Sequence, residues 1–190
     1  MDARVQPKDN LDTRSDLDLI AAINRGDSGA FEVLYFRYRD WVVRLAYRFT
    51  RDDHASLDVL QETFLYFLKK FPGFRLTANL KTFLYPAVRN LSACAREKSQ
   101  RYQATEIELG TIENATAPES PSSDLSDLQL VLAALSEDHR EVLLLRFIDG
   151  LNLLEIAQSM DIPLGTVKSR LHNGLQTLRN DPRTKEFFGR

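Results

Sequence analysis

A segment near the C-terminal end combines hydrogen-bonding and cationic side chains at helical spacing. Five leucine or valine side chains fall on one arc of a helical wheel: Leu164, Val167, Leu171, Leu175 and Leu178. The opposite face carries polar side chains: Thr166, Ser169, His172, Asn173 and Gln176. Such groups can form hydrogen bonds with base edges, and the flanking cations Lys168 and Arg170 can contact phosphates. No acidic residue lies between 164 and 180. The pattern predicts a helix that binds DNA.

The residues before this helix complete a motif. A short helical pattern from Leu154 to Met160 is followed by the turn sequence Asp161-Ile162-Pro163. Two helices joined by a tight turn form a helix-turn-helix, whose second helix can enter the major groove. The alternative is an ordinary amphipathic helix in a small bundle, but the turn, the polar face and the charge all favour DNA binding.

Composition and charge divide the chain into parts. Helical periodicity, with only eight Gly and seven Pro in 190 residues, predicts an all-α protein. We predict two small helical domains, 14–101 and 126–183, joined by a flexible acidic linker, 102–125, that is rich in Ser, Thr and Pro. The net charge of −2 conceals a contrast. Eight basic residues and one acid lie in 69–101, whereas 103–127 has six acids and no Lys or Arg.

The C-terminal motif resembles a known family. The segment EIAQSMDIPLGTVKSRL resembles region 4 of sigma-70-type sigma factors of the extracytoplasmic-function (ECF) group, and the preceding LSEDHREVLLLRFIDGLNLLEIA resembles the helix pair that leads into it. The resemblance implies recognition of the −35 promoter element and contact with the polymerase flap. By motif position it assigns base recognition to Lys168, Ser169, His172 and Asn173. It assigns backbone contact to Arg170 and Thr166. The motif alone also resembles output domains of two-component regulators.

The segment DHASLDVLQETFLYFLKKFPGF, residues 53–74, resembles the helix of sigma region 2 that binds core polymerase. A helical wheel predicts a buried stripe: Leu57, Leu60, Phe64, Phe67, Leu68 and Phe71. Asp58, Glu62 and Leu65 gather on the opposite side, with Gln61 at its edge. An exposed leucine among charges is typical of a protein interface. The resemblance implies that these four residues dock on the clamp helices of the largest polymerase subunit.

The segment FRLTANLKTFLYPAVRNLSACAREKSQR, residues 74–101, resembles the part of region 2 that melts and recognises the −10 element. Strand opening needs surfaces for unstacked bases and cations for the separated strand. The −10 contacts implied here are Phe74, Arg75, Lys81, Phe83, Tyr85, Arg89 and Asn90. The loop 74–81 corresponds to the family's variable loop that captures a flipped base. The alternative to a DNA contact is a place in the hydrophobic core, which we expect for Phe83 and for Trp41 in an earlier helix.

This chain departs from the family pattern at three positions in that segment. Phe83 stands where Trp is usual, Pro86 lies inside the predicted helix, and Cys94 replaces a polar residue. We expect Pro86 to remove a helical hydrogen bond and Cys94 to be a small buried apolar residue. We expect these departures to affect which promoter sequences the protein prefers, not its assignment to the family.

Together these observations predict an alternative sigma factor that directs promoter-specific transcription initiation. Its expected partners are core RNA polymerase, promoter DNA and an anti-sigma factor. The acidic linker is either a passive tether or a mimic of nucleic acid in a basic polymerase channel. No pattern of catalytic, metal-binding or cofactor-binding residues occurs, and neither a small-molecule substrate nor membrane insertion is expected, so we predict a cytoplasmic protein without enzymatic activity. The alternatives are a free-standing DNA-binding regulator and a decoy that occupies anti-sigma factors.

Overall fold

The chain forms eight α-helices and no strand within residues 12–108 and 127–184, the parts that the computed structural model describes. For residues 102–108 and 127–129 the description covers the backbone alone. The chain divides into one unit within Met1–Tyr102 and a second within Gln103–Arg190. The prediction of an all-α chain with two helical domains is confirmed.

The first unit contains α1 (Asp16–Asn24), α2 (Ser28–Thr50), α3 (Asp53–Leu68) and most of α4 (Leu80–Glu108). The first three begin at Ser15, Asp27 and Asp52, whose side chains each accept a hydrogen bond from the backbone N–H three residues later. Such a cap is worth about 1 kcal/mol. At α1 the carboxylate of Asp18 accepts hydrogen bonds in return from Ser15, and these lower the pKa of Asp18.

The core of the first unit is built on α2, which packs against both α1 and α3. Its side chains Leu34, Trp41 and Leu45 are buried, so the core role of Trp41 is confirmed. Helix α4 adds its own buried face, on which the ring of Tyr85 lies 6.4 Å from that of Phe49. Helix α2 therefore fixes the positions of α1 and α3.

Two expectations for α4 are wrong. The helix continues through Pro86 as far as Glu108, so residues 102–108, which were assigned to the linker, are helical. The remainder of the predicted linker, 109–125, lies outside the described residues. Cys94 is exposed rather than buried. It lies between exposed Ala93 and half-buried Ala95, on a part of α4 that adds little to the core.

The second unit contains α5 (Asp127–Ala134), α6 (Glu137–Phe147), α7 (Leu153–Met160) and α8 (Leu164–Asn180). Its core joins α5, α6 and α8 through buried side chains: Val131, Leu135, Leu143 and Leu178. The guanidinium of Arg140 donates to the carbonyls of Leu132 (2.6 Å), Ala133 (2.8 Å) and Leu135 (2.7 Å). These carbonyls lie at or just after the end of α5, where helical partners run out, so Arg140 fastens α5 onto α6.

In the described parts of the chain, no helix combines the length and the apolarity needed to cross a membrane. Among the same residues, no group of three or more His, Cys, Asp or Glu side chains is placed to hold a metal ion.

Candidate nucleic-acid interface

The helix-turn-helix of the second unit is set by local capping. Asn152 accepts hydrogen bonds from the backbone of Leu154 and Glu155, and the Glu155 carboxylate accepts one from the Asn152 N–H. This reciprocal cap begins α7. Asp161 ends it with a left-handed backbone (φ 53°), and Pro163 precedes α8. The predicted turn between two helices is therefore present, and short-range interactions determine it.

The exposed face of α8 carries four of the predicted −35 residues: Lys168, Ser169, His172 and Asn173. Thr166 is half-buried in the first turn, where its carbonyl accepts a hydrogen bond from the Ser169 hydroxyl (3.0 Å). On the other side of the helix Val167 and Leu178 are buried. The polar row and the apolar row lie on opposite sides, as DNA recognition by this helix requires.

Arg170, the sixth predicted −35 residue, has a different environment. Its guanidinium is half-buried, and Nη2 lies 2.6 Å from Oδ2 of Asp138 in the first turn of α6. Asp138 was not among the residues that the sequence indicated, because the pair spans 32 residues. Arg170 therefore joins the recognition helix to the rest of its unit.

Helix α8 lies very close to α6 at Gly174, which is buried. A Cβ at this position would come within 2.9 Å of Leu143 Cδ1 and 3.5 Å of His139 Cβ. Beyond the helix, Arg183 donates to Asp181 and lowers the pKa of that carboxyl to about 2. The Arg170–Asp138 pair and the close approach at Gly174 thus hold α8 against α6.

In the first unit, the loop between α3 and α4 is held by one side chain of α1. The Asn24 side-chain oxygen accepts a hydrogen bond from the Gly73 N–H (2.6 Å), and its nitrogen donates to the Phe74 carbonyl (2.8 Å). Gly73 has φ +99°, a conformation that L side chains rarely adopt. No local sequence signal links Asn24 to residues 49 and 50 positions away.

Beneath this loop lies an aromatic cluster. The Phe74 ring contacts those of Phe83 (centroids 4.7 Å apart), Phe67 (5.4 Å) and Phe71 (5.5 Å). Phe83 also stacks on Tyr66 at 5.9 Å, and Lys70 Nζ lies 4.3 Å from the centre of that ring. Phe74 and Phe83 are therefore half-buried, each with part of its ring in the cluster. Lys70 and Tyr66 were not singled out from the sequence.

The remaining predicted −10 residues differ in exposure. Arg75, Arg89 and Asn90 are exposed. Lys81 is half-buried, with its Nζ 5.8 Å from the centre of the Trp41 ring. Tyr85 is fully buried, so the prediction that it contacts DNA is wrong. One side of α4 faces the core, and Tyr85 lies on that side beside Leu84 and Val88.

On α3, the four residues predicted to bind polymerase are exposed and share one face: Asp58, Gln61, Glu62 and Leu65. The buried stripe predicted for this helix is partly wrong, because Leu57 and Leu68 are exposed as well. Ser56 and Thr63 are buried instead. The exposed face therefore carries three leucines, with Leu65 49% exposed, around its acidic and amide groups.

The second unit exposes three large apolar side chains on α6 and α7 and at the end of α6. Phe147 ends α6, Ile148 follows it, Leu154 lies in the first turn of α7, and all three are exposed, Ile148 by 71%. Exposed apolar groups this close in sequence are typical of a protein-binding surface. The resemblance to region 4 implies contact with the flap but assigns no residues to it.

Each of the two units matches a known family model. The family model for sigma-70 region 2 matches residues 34–102, and that for sigma-70 region 4 matches residues 131–180. The ECF RNA polymerase sigma factor SigW of Bacillus subtilis is 30% identical over 178 residues, which is 86% of this chain and 95% of SigW. The ECF sigma-E factor of Escherichia coli K12 is 30% identical, over 87% of this chain and 93% of its own.

This chain belongs to the ECF RNA polymerase sigma factors. It is a transcription initiation factor, not an enzyme, and its two sigma regions provide polymerase binding and promoter recognition. The interpretation drawn from its motifs is confirmed.

Solved structures agree with this sigma factor in fold. A structure of CnrH in complex with the cytosolic domain of CnrY has a TM-score of 0.61 at 21% identity, over 85% of this chain and 93% of that one. The sigma factor RpoE from Bartonella quintana, in complex with the anti-sigma factor NepR, has a TM-score of 0.53 at 22% identity, over 78% and 94%.

Proposed function

We propose that this sigma factor recognises the −35 element through one row of α8. Lys168, Ser169, His172 and Asn173 would contact base edges. All four are exposed, with Ser169, His172 and Asn173 facing away from the buried Val167 and Leu178 and Lys168 at the edge of that face. This arrangement within a capped helix-turn-helix is the observation that carries the proposal.

Thr166 and Arg170 are proposed to contact the DNA backbone beside that row. Thr166 lies in the first turn of α8, where unpaired N–H groups and the helix dipole favour a phosphate. A guanidinium has five N–H donors, so Arg170 can hold Asp138 and still donate to a phosphate.

The −10 element is proposed to bind at the loop after α3 and along α4. Arg75 and Arg89 supply exposed cations for the separated strand, and exposed Asn90 can form hydrogen bonds with a base. Phe74 and Phe83 would form the apolar surface on which an unstacked base rests, since part of each ring remains accessible. Lys81, packed near Trp41, would contribute mainly charge.

Two surfaces are proposed to bind polymerase. Asp58, Gln61, Glu62 and Leu65 would dock on the clamp, and the exposed Leu57 and Leu68 would widen the apolar part of that contact. Phe147, Ile148 and Leu154 would dock on the flap. Each surface combines exposed apolar side chains with polar neighbours, as protein interfaces commonly do.

The RpoE of Bartonella quintana was solved with its anti-sigma factor NepR, and on this likeness we assign an anti-sigma partner to this chain as well. The place of action would be the cytoplasm, where core polymerase is found. The part of the predicted linker beyond α4, 109–125, would let the two units reach separate promoter elements, since about 17 residues span roughly 55 Å when extended.

The test is run-off transcription with purified bacterial core polymerase, a genomic promoter library and this protein. We expect defined start sites that appear only when the sigma factor is added. Lys168→Ala should weaken the −35 preference and Asn90→Ala the −10 preference, each without altering the other. If no transcript appears and the protein neither binds core nor competes for it, the chain acts instead as a free-standing DNA-binding regulator.

A further inference from the structure

The two hydrogen bonds from Asn24 fix the middle of the loop between α3 and α4. They engage the N–H of Gly73 and the carbonyl of Phe74, which belong to consecutive residues. One planar amide thus holds both ends of a short backbone segment, which restrains its rotation as well as its position. A single hydrogen bond would leave that rotation free.

The restrained segment lies directly before the proposed DNA contacts. Phe74 carries both the bonded carbonyl and the ring that rests on Phe83, and Arg75 follows at an exposed position. The ring is supported from below by the aromatic cluster, and the backbone is held from the side by α1. Because Gly73 has a positive φ and no side chain of its own, the local chain has little intrinsic preference for this geometry.

We propose that Asn24 is a positioning residue for −10 recognition: it orders residues 73–75 so that Phe74 and Arg75 are preorganised to receive an unstacked promoter base. This rests on the proposed −10 role of the loop. Asn24 itself does not contact DNA. Because Asn24 orders the loop before DNA binds, base capture costs less conformational entropy.

The amide chemistry makes a sharp pair of variants possible. Asn24→Ala removes both hydrogen bonds. Asn24→Asp keeps the acceptor for the Gly73 N–H but places a carboxylate oxygen against the Phe74 carbonyl, so the second bond is lost and replaced by repulsion. Arg25→Ala is the matched control, since Arg25 is an exposed neighbour at the same helix end.

The experiment measures open-complex formation by the holoenzyme on a set of promoters that differ by single bases in the −10 or −35 element. For Asn24→Ala and Asn24→Asp we expect discrimination at the captured −10 base to fall about tenfold, the effect of two lost hydrogen bonds. Discrimination at −35 and affinity for core polymerase should stay unchanged, and Arg25→Ala should behave as the wild type.

Simple destabilisation predicts something else: a uniform loss over all promoters, together with a lower Tm and weaker core binding. That pattern, or unchanged −10 discrimination in both variants, would overturn the positioning role. Phe74→Ala and Arg75→Ala separate this failure from that of the proposed function. If they reduce −10 discrimination while Asn24 variants do not, the loop recognises DNA without help from Asn24. If they too have no effect, the loop does not recognise the −10 element and both proposals fall.

Discussion

Arg170 and Asp138 form an ion pair that ties the recognition helix α8 to the first turn of α6, with 2.6 Å between Nη2 and Oδ2. The helical wheel placed Arg170 beside the DNA-facing row, as a cation for a phosphate. The structure shows that its charge is already matched by an acid of the same unit. Arg170 therefore has a structural role in addition to any contact with DNA. Lys168, in contrast, is exposed on the surface of α8.

The first prediction concerns what this pair contributes to stability. Asp138→Asn should lower the protection of α8 amides in hydrogen exchange by about 0.5–1 kcal/mol, the usual range for a partly exposed pair. Glu137→Gln is the matched control, because it removes an acid from the same helical turn. Equal effects of the two variants would mean that the lost helix-dipole interaction, not the ion pair, is responsible.

The second prediction concerns the salt dependence of promoter binding. Lys168→Ala should reduce the slope of log K against log salt by about 1, because one positive charge is lost from the DNA-facing row. Asp138→Asn should steepen the slope by a similar amount, since the charge of Arg170 is then no longer matched. The slopes are measured with holoenzyme on a −35-containing promoter fragment. An unchanged slope for Asp138→Asn would place Arg170 away from the phosphates.

A third prediction uses the close approach of α8 to α6 at Gly174. Gly174→Ala should destabilise the second unit by about 1–2 kcal/mol. The new methyl group would overlap buried Leu143, and the free energy lost through this overlap exceeds the gain from the higher helix propensity of Ala. Gly165→Ala in the same helix meets nothing within 4 Å and should leave stability unchanged or slightly higher. Both are measured by exchange of α8 amides.

Combining Gly174→Ala with Leu143→Ala tests the cause. The methyl group added at 174 would fill part of the cavity left at 143, so the two losses should be less than additive. Strict additivity would indicate that the two side chains do not interact.

Short-range signals explain why much of the second unit could be predicted from sequence. The turn at Asp161 and the polar row of α8 depend on neighbours within a few residues. The buried face of α3 was harder to predict, because hydrophobicity alone places Leu57 and Leu68 in the core and Ser56 and Thr63 on the surface. Ser56 is buried because its hydroxyl donates to the Asp52 carbonyl (2.6 Å) and lies 2.9 Å from that of Thr50. Such local hydrogen bonds offset the cost of burying a hydroxyl, and a helical wheel takes no account of them.

Non-local contacts account for the other differences. The hydrogen bonds of Asn24 to the loop and of Arg170 to Asp138 join residues 32 to 50 positions apart. No pattern in the neighbouring sequence predicts them. Tyr85 presented a further ambiguity, since an aromatic side chain on a basic helix suits both a base and a core. Only the packing of α4 on its neighbours decides which side of the helix is buried.

The last prediction tests the corrected role of Tyr85. Its side chain is fully buried, and its hydroxyl has no hydrogen-bond partner among the described residues. Burying such a group costs free energy, so Tyr85→Phe should leave the free energy of unfolding unchanged or raise it by about 1 kcal/mol. Tyr85→Ala should lower it by about 3–5 kcal/mol, because a large cavity remains.

Transcription from −10 variants then separates a core residue from a DNA contact. Tyr85→Phe should keep the same preference among −10 bases, since the phenol never reaches the surface. A selective loss of −10 discrimination in this variant, with stability intact, would mean that the hydroxyl meets DNA after α4 rearranges in the open complex.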